Sequence, residues 1–302
     1  MSELSNIISI ANLSKELGFL DYGVSKAGII GENDFPFSKY IAEGANASMD
    51  YLSKNVEKRK DPSLLVEGAE SILCFLAPYS SKGAAVASFA LGEDYHKVIK
   101  DKLYIVLEQL KAESSIAGVN DFKGRVFVDS APIKERYWAA RAGLGFIGKN
   151  HFLISPDFGL RTLIGVIVCN IPFKNFEKQK GIIKNKCGDC HKCIDVCPNG
   201  ALDNPDYLDA RKCISYHTIE DKCLYNTHPI NYNGQIFGCE ACLKVCPMNK
   251  DIPSWREFET NADYLLSLTR EDWADMDEEN FLKRFADSSL MRAGLAKIKN
   301  NL

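Results

Sequence analysis

The run Cys187-Gly-Asp-Cys190-His-Lys-Cys193-Ile-Asp-Val-Cys197-Pro198 spaces three thiols two residues apart and a fourth after three more, directly before proline. This C-x2-C-x2-C-x3-C-P pattern is that of two-cluster bacterial ferredoxins, in which three thiolates wrap one [4Fe-4S] cubane and the fourth reaches the other. A second run, Cys239-Glu-Ala-Cys242-Leu-Lys-Val-Cys246-Pro247, repeats the ending but offers only three thiols. The eighth ligand must come from elsewhere. Cys213 and Cys223 stand between the runs, and Cys213 is taken. By the ferredoxin crossover one cluster takes Cys187, Cys190, Cys193 and Cys246, and the other Cys197, Cys213, Cys239 and Cys242. Four-cysteine zinc sites also use C-x2-C pairs, but rarely pack four cysteines into so short a run ending in Cys-Pro. His191 reads as a surface or outlying residue, because the cysteines suffice. Cys74 and Cys169 sit in apolar stretches and read as small buried hydrophobes.

The totals agree with a metal rather than a disulfide framework. Of 11 cysteines, nine lie between Cys187 and Cys246, and the start MSELSNIISIANLSKELGF has no basic region leading into an unbroken apolar stretch. No segment approaches the ~20 apolar residues that span a bilayer. The chain therefore reads as cytoplasmic, with no membrane partner. With 302 residues, 46% apolar and 25% charged, there is material for a large α/β domain and a smaller one. A net charge of −3 carries no nucleic-acid signal.

The elements that must position these cysteines alternate helix-like and strand-like patterns over the first ~170 residues. Residues 2–18 read as helical, 21–27 and 71–79 as strands. In DYHKVIKDKLYIVLEQLKAE, Ile99, Leu103, Val106 and Leu110 fall on one helix face. RVFVDSAP (125–132) reads as a strand ending in a turn, with Pro132 opening the helix IKERYWAARAG, and HFLIS and LRTLIGVIVCN as two further strands. The expected fold is an α/β (α+β) domain over 1–172, a ferredoxin-like two-[4Fe-4S] domain over 173–253, and a helical segment over 254–302 that packs back on the body.

Gly143-Leu-Gly145-Phe-Ile-Gly148 matches G-x-G-x-x-G, and with Lys149 nearly matches a Walker A loop. It follows a helix-like stretch and enters a strand-like one, the reverse of a dinucleotide fingerprint, and Asn150 stands where a Ser or Thr would hold magnesium. A tight connection is the expected role. Lys174, Lys178, Lys180, Lys184 and Lys186 precede the first cysteine run and read as a solvated linker, with phosphate contact as the sharper alternative.

VDSAPIKERYWAARAGLGFIGKN (128–150), the cysteine layout and RKCISYHTIE (211–220) together resemble the epoxyqueuosine reductase family. The likeness extends to MDYLSKNVEKRKDP (49–62), EDYHKVIKDKL (93–103) and the stretch from Thr269 to Leu302, nearly the whole chain. Longer members continue into a helical-repeat domain that helps hold tRNA, so this chain resembles a short form. The resemblance implies a cobalamin-dependent enzyme that reduces epoxyqueuosine to queuosine in the anticodon stem-loop of tRNA, with a core that looks like that of reductive dehalogenases. It implies that Asp129 is the proton donor, that Arg136 meets the tRNA substrate, and that Arg59, Asp129, Leu153, Ser155 and Ile164 contact cobalamin. It also supports Cys213 as the eighth ligand. Read from the residues alone, an Asp at a strand end before Ser-Ala-Pro is ordinarily a turn or helix cap.

The chemistry needs an electron relay, a centre that couples two one-electron deliveries, and an acid. An unidentified electron donor must supply the relay. The competing readings are a non-catalytic iron-sulfur electron-transfer module and a corrinoid reductase of another substrate. A carrier needs little beyond the cluster domain, so the ~170 preceding residues favour an enzyme.

Overall fold

The stretch SILCFLAP is apolar at almost every position, as suits a strand covered on both faces. In the computed structural model, which describes residues 8–31, 37–116, 118, 121–176, 180–223 and 229–302, it lies in the middle of a sheet and all eight positions are buried. The strands are β1 (Asp21–Lys26), β2 (Ser71–Pro78), β3 (Gly124–Phe127), β4 (Phe146–Ile147), β5 (Leu153–Ile154) and β6 (Thr162–Cys169). The main sheet runs β1-β2-β6-β3 with every pair antiparallel. The β2–β6 register runs from Ser71 opposite Cys169 to Pro78 opposite Thr162.

The helices are α1 (Ala11–Glu16), α2 (Phe37–Ala42), α3 (Asp50–Ser53), α4 (Val56–Lys60), α5 (Tyr95–Ile116), α6 (Glu135–Arg141), α7 (Lys192–Asp195), α8 (Ala241–Lys244), α9 (Ala262–Ser267), α10 (Arg270–Asp275), α11 (Glu278–Phe285) and α12 (Leu295–Asn300). Side chains alternate along a strand, so Leu73, Phe75 and Ile167 face α5 while Ile72, Cys74, Leu76 and Val168 face α6. Ile99, Leu103, Val106 and Leu110 of α5 are all fully buried, as their spacing predicts. Gly165 of β6 lets α5 lie close, since a Cβ there would stand 2.6 Å from Leu103 Cδ1.

Several expected elements are shorter or begin later. Residues 1–7 lie outside the described residues, and the first helix covers only Ala11–Glu16. HFLIS contributes two residues, Leu153 and Ile154, to a small hairpin with Phe146 and Ile147 rather than to the main sheet. The helix expected from Pro132 begins at Glu135. The intervening residues form a tight turn, with Asp129 at φ 49° and Ile133 N–H donating to Ala131 O at 2.8 Å.

Among the described residues, the cysteine-bearing segment lends apolar side chains to the cores of the rest of the chain. Leu243 belongs to the α5 side of the sheet core, and Cys187, Cys242, Cys246 and Met248 pack against it. Trp255 and Phe258 join the same core, with Trp255 Nε1 donating to Gly18 O at 2.8 Å. Helices α9 to α12 build a second core around Trp273, Phe281, Phe285 and Ile298. They pack back on Val86, Ala90, Leu91, Ile236 and Phe237. Among the described residues no helix is long and apolar enough to cross a membrane.

Leu103→Ala empties the contact between α5 and β6, and a loss of about 2–5 kcal/mol is expected. Denaturant unfolding should show a lower midpoint with an unchanged slope.

Candidate active site and cluster centre

Two short helices explain how the cysteines divide. Cys193 lies in α7 and Cys242 in α8; α7 packs on α8, and each helix is followed by a cysteine and a proline. One turn of helix thus carries Cys197 away from the first three thiols and Cys246 away from Cys239 and Cys242. The Cys246 thiol lies within electrostatic reach of Cys187 and Cys190, and Cys193 within reach of Cys187 and Cys246. These four line one cavity with Lys149, Lys186 and Met248. Cys213 lies within reach of Cys239 and Cys197, and Cys242 within reach of all three. Cys242 also senses Cys193, so the two groups are neighbours.

The donor set fits two clusters. Backbone N–H groups already point at sulfur: Ala201 N–H donates to Cys197 Sγ at 3.2 Å, Ser215 and Tyr216 donate to Cys213, and Met248 and Asn249 donate to Cys246. Such donors stabilise negative sulfur. Burial pushes the Cys213 thiol up to about 11, and a bound metal centre would hold it as thiolate. Cys223 is exposed, Cys74 and Cys169 are fully buried, and His191 is 62% exposed beside Asp195.

A second group of polar residues gathers where β3 ends. Asp129 Oδ2 accepts from Tyr95 O–H at 2.5 Å and stands 3.8 Å from His96 Nε2. His96 Nδ1 lies 2.7 Å from Asp94 Oδ1. The Asp129 N–H donates to Glu135 Oε1 at 3.1 Å, which holds the left-handed turn. An acid near neutrality calls for a desolvated pocket, yet the Asp129 side chain is 66% exposed in the chain alone. It is the half-buried Glu135 that burial, with the Asp129 charge, pushes up to about 8. Lys134 rests 3.7 Å from the Phe37 ring centroid, and burial, with Arg59 adding to it, pushes its ammonium down to about 6. Tyr95, His96, Lys134 and Glu135 escaped sequence reading, because only the packing of α5 against the β3 turn unites them.

Arg59 is buried, reaches Tyr51 O at 3.4 Å through Nη2, and leaves its Nε without a partner among the described residues. Leu153 is buried and Ile164 half-buried in the core beneath α6. The Ser155 hydroxyl accepts from Phe158 N–H at 3.3 Å. Arg136 is exposed, donates to His151 O at 2.8 Å and lies over the Phe152 ring.

The glycines at 143–148 serve a tight connection. They follow α6 and enter β4, and a Cβ on Gly145 would stand 2.4 Å from Ile154 O. Of the lysines, Lys180 pairs with Asp21, Lys186 lines the cysteine cavity, Lys174 and Lys184 are exposed, and Lys178 lies outside the described residues.

An ion pair not legible in the sequence joins the two halves of this region. Arg161 Nη1 donates to Glu240 Oε1 at 2.9 Å, with the side chains 3% and 4% exposed. Glu240 stands inside the second cysteine run, where a solvent-facing residue would look the same in sequence.

Cys213→Ser should remove one cluster while Cys223→Ser keeps both, read by iron content and electron paramagnetic resonance. Glu135 titrates in the folded state at about 8 against an ordinary value of 4.5. Between these values the folded chain holds a proton that the unfolded chain releases, so this group's contribution makes stability fall as pH rises through that window. Glu135→Gln should flatten the loss, as measured by chemical unfolding at a series of pH values.

The chain matches two families, one described as a 4Fe-4S double cluster binding domain over residues 186–249 and one as epoxyqueuosine reductase QueG, DUF1730, over residues 59–130. It is 35% identical over 298 residues to the epoxyqueuosine reductase of Cellulophaga algicola, covering 95% of this chain and 93% of that one. To the epoxyqueuosine reductase of Pseudomonas aeruginosa it is 33% identical over 311 residues, covering 97% and 83%. Among solved structures it is similar to an epoxyqueuosine reductase holding an epoxyqueuosine-modified tRNA-Tyr stem loop, with a TM-score of 0.81, 25% identity, and 97% and 78% covered. The same values relate it to epoxyqueuosine reductase from Bacillus subtilis with a catalytic aspartate loop swung out of the active site. A likeness of this strength along nearly the whole chain settles its family: the chain belongs to the epoxyqueuosine reductases.

Proposed function

We propose that this chain reduces epoxyqueuosine to queuosine in the anticodon stem-loop of tRNA, using cobalamin and two [4Fe-4S] clusters. The observation that carries this reading is the division of eight thiols into two neighbouring groups of four on a sheet domain with a polar site at the end of β3. The named activity of relatives matched along nearly the whole chain supports it. So does the modified stem loop held by a structural neighbour. We assign residues 1–172 to the cobalamin-binding catalytic domain, 173–253 to the cluster domain and 254–302 to a helical segment. With tRNA as substrate, the enzyme works in the cytoplasm.

Removing the epoxide oxygen as water takes two electrons and two protons. Cys187, Cys190, Cys193 and Cys246 would hold one cluster, and Cys197, Cys213, Cys239 and Cys242 the other, and an external donor would supply the electrons. Bound cobalamin supplies a cobalt centre that changes oxidation state one electron at a time. The unpartnered Nε–H of Arg59 suits the acceptors on an amide-rich corrin periphery. Leu153 and Ile164 offer apolar contact, and Ser155 a hydroxyl. The Asp129 carboxyl donates one of the two protons to the departing oxygen, and the second comes from solvent. Tyr95 and Glu135 hold in register the turn that carries Asp129. Arg136 meets the tRNA.

Asp129→Asn should retain both clusters and bound corrinoid but lose turnover by about 10²–10⁴-fold. Mass spectrometry of tRNA nucleosides after anaerobic reaction measures this, and undiminished queuosine formation by the variant would refute the role.

A further inference from the structure

Glu240 sits directly after Cys239 and two residues before Cys242, so the backbone that presents two thiols also presents this carboxylate. Its Oε1 accepts from Arg161 Nη1 at 2.9 Å and its Oε2 from Ser88 Oγ at 2.7 Å. Arg161 Nη1 also reaches Ser80 O at 3.0 Å and Ser88 Oγ at 3.2 Å, while Gly83 N–H donates to Ser88 Oγ at 2.8 Å. The cradle admits only glycine at position 83, because a Cβ there would stand 2.4 Å from Ser88 N and 2.7 Å from Glu240 Oε2. Two residues before Arg161, Gly159 lies against the far end of the same cysteine run: a Cβ would stand 2.6 Å from Lys250 N and 3.0 Å from Met248 O, just beyond Cys246 and Pro247. One short segment, Gly159 to Arg161, is thus clamped to both ends of the second cysteine run.

Reducing a cluster adds one negative charge to it. A neighbouring charge out of water acts on that step far more strongly than one in solvent. An uncompensated carboxylate opposes the electron, an uncompensated guanidinium favours it, and a tight pair largely cancels. We propose that the Arg161–Glu240 pair positions the Cys239–Cys242 loop on the sheet domain and, by its charge balance, spares the cluster held by Cys197, Cys213, Cys239 and Cys242 the shift in reduction potential that either charge alone would impose.

The inference rests on the assignment of those four cysteines to one cluster. Wild-type protein, loaded anaerobically with iron and sulfide, tests that assignment first: two cluster signals, one of them lost in Cys213→Ser, uphold it. Redox titration followed by electron paramagnetic resonance, with neither cobalamin nor tRNA present, then tests the pair. Glu240→Gln should raise the potential of one cluster and leave the other in place. Arg161→Met should lower the same potential, and the Arg161→Met/Glu240→Gln double variant should return it close to the wild-type value. A single variant with both clusters loaded at wild-type potentials overturns the proposal, as does a double variant whose shift is as large as a single one's. If the single variants fail to load, the double variant, which leaves no unpaired charge, must still load both clusters at wild-type potentials. Its failure overturns the charge argument in favour of packing alone.

Discussion

Arg161 and Glu240 meet out of water at the junction between the sheet and the loop bearing Cys239 and Cys242. Burying either charge alone costs several kcal/mol, and even a good pair roughly repays its own desolvation. Such a contact adds little net stability, but it penalises every other seating of the loop, because misplacing it strands a charge. Ser80, Ser88 and Gly83 complete the arrangement, and each reaches it from the stretch that follows β2.

The need for such a fixed seating follows from the rest of the cysteine segment. Its apolar residues join the cores of the rest of the chain: Leu243 and Met248 pack into the core that α5 covers, and Ile219, Ile236 and Phe237 into the one built by α9 to α12. Trp255 extends the same contact, with Lys102 Nζ 4.5 Å from its ring centroid and its indole N–H on Gly18 O. A segment seated on the sheet in this way stays at a fixed distance from the turn at the end of β3.

The site at the end of β3 follows a different logic. Asp129 adopts a left-handed conformation that costs a non-glycine residue about 1 kcal/mol or more, held by the Glu135 carboxyl on its N–H and the Tyr95 hydroxyl on its side chain. Two carboxyl groups in one turn cannot both ionise freely, and burial settles the proton on Glu135. Asp129, by contrast, keeps its side chain largely exposed in the same turn.

The sequence alone determined the metal chemistry, because a cubane demands thiols at short fixed spacing and Cys187 to Cys197 meets that demand locally. It also determined the buried strands and the α5 face, since strand and helix periods act within a few residues. The strand order was not legible, nor the antiparallel pairing, nor the start of α6 at Glu135 rather than Pro132, because these depend on partners far along the chain. The same holds for the chemistry around the cysteines. That Cys213 lies with Cys197, Cys239 and Cys242 while Cys223 faces solvent, that Glu135 holds a proton beside Asp129, and that Glu240 pairs with Arg161 were decided only in three dimensions. Spacing governs what neighbours in the chain can bind, whereas burial, and the charges it forces together, exist only once distant segments have packed.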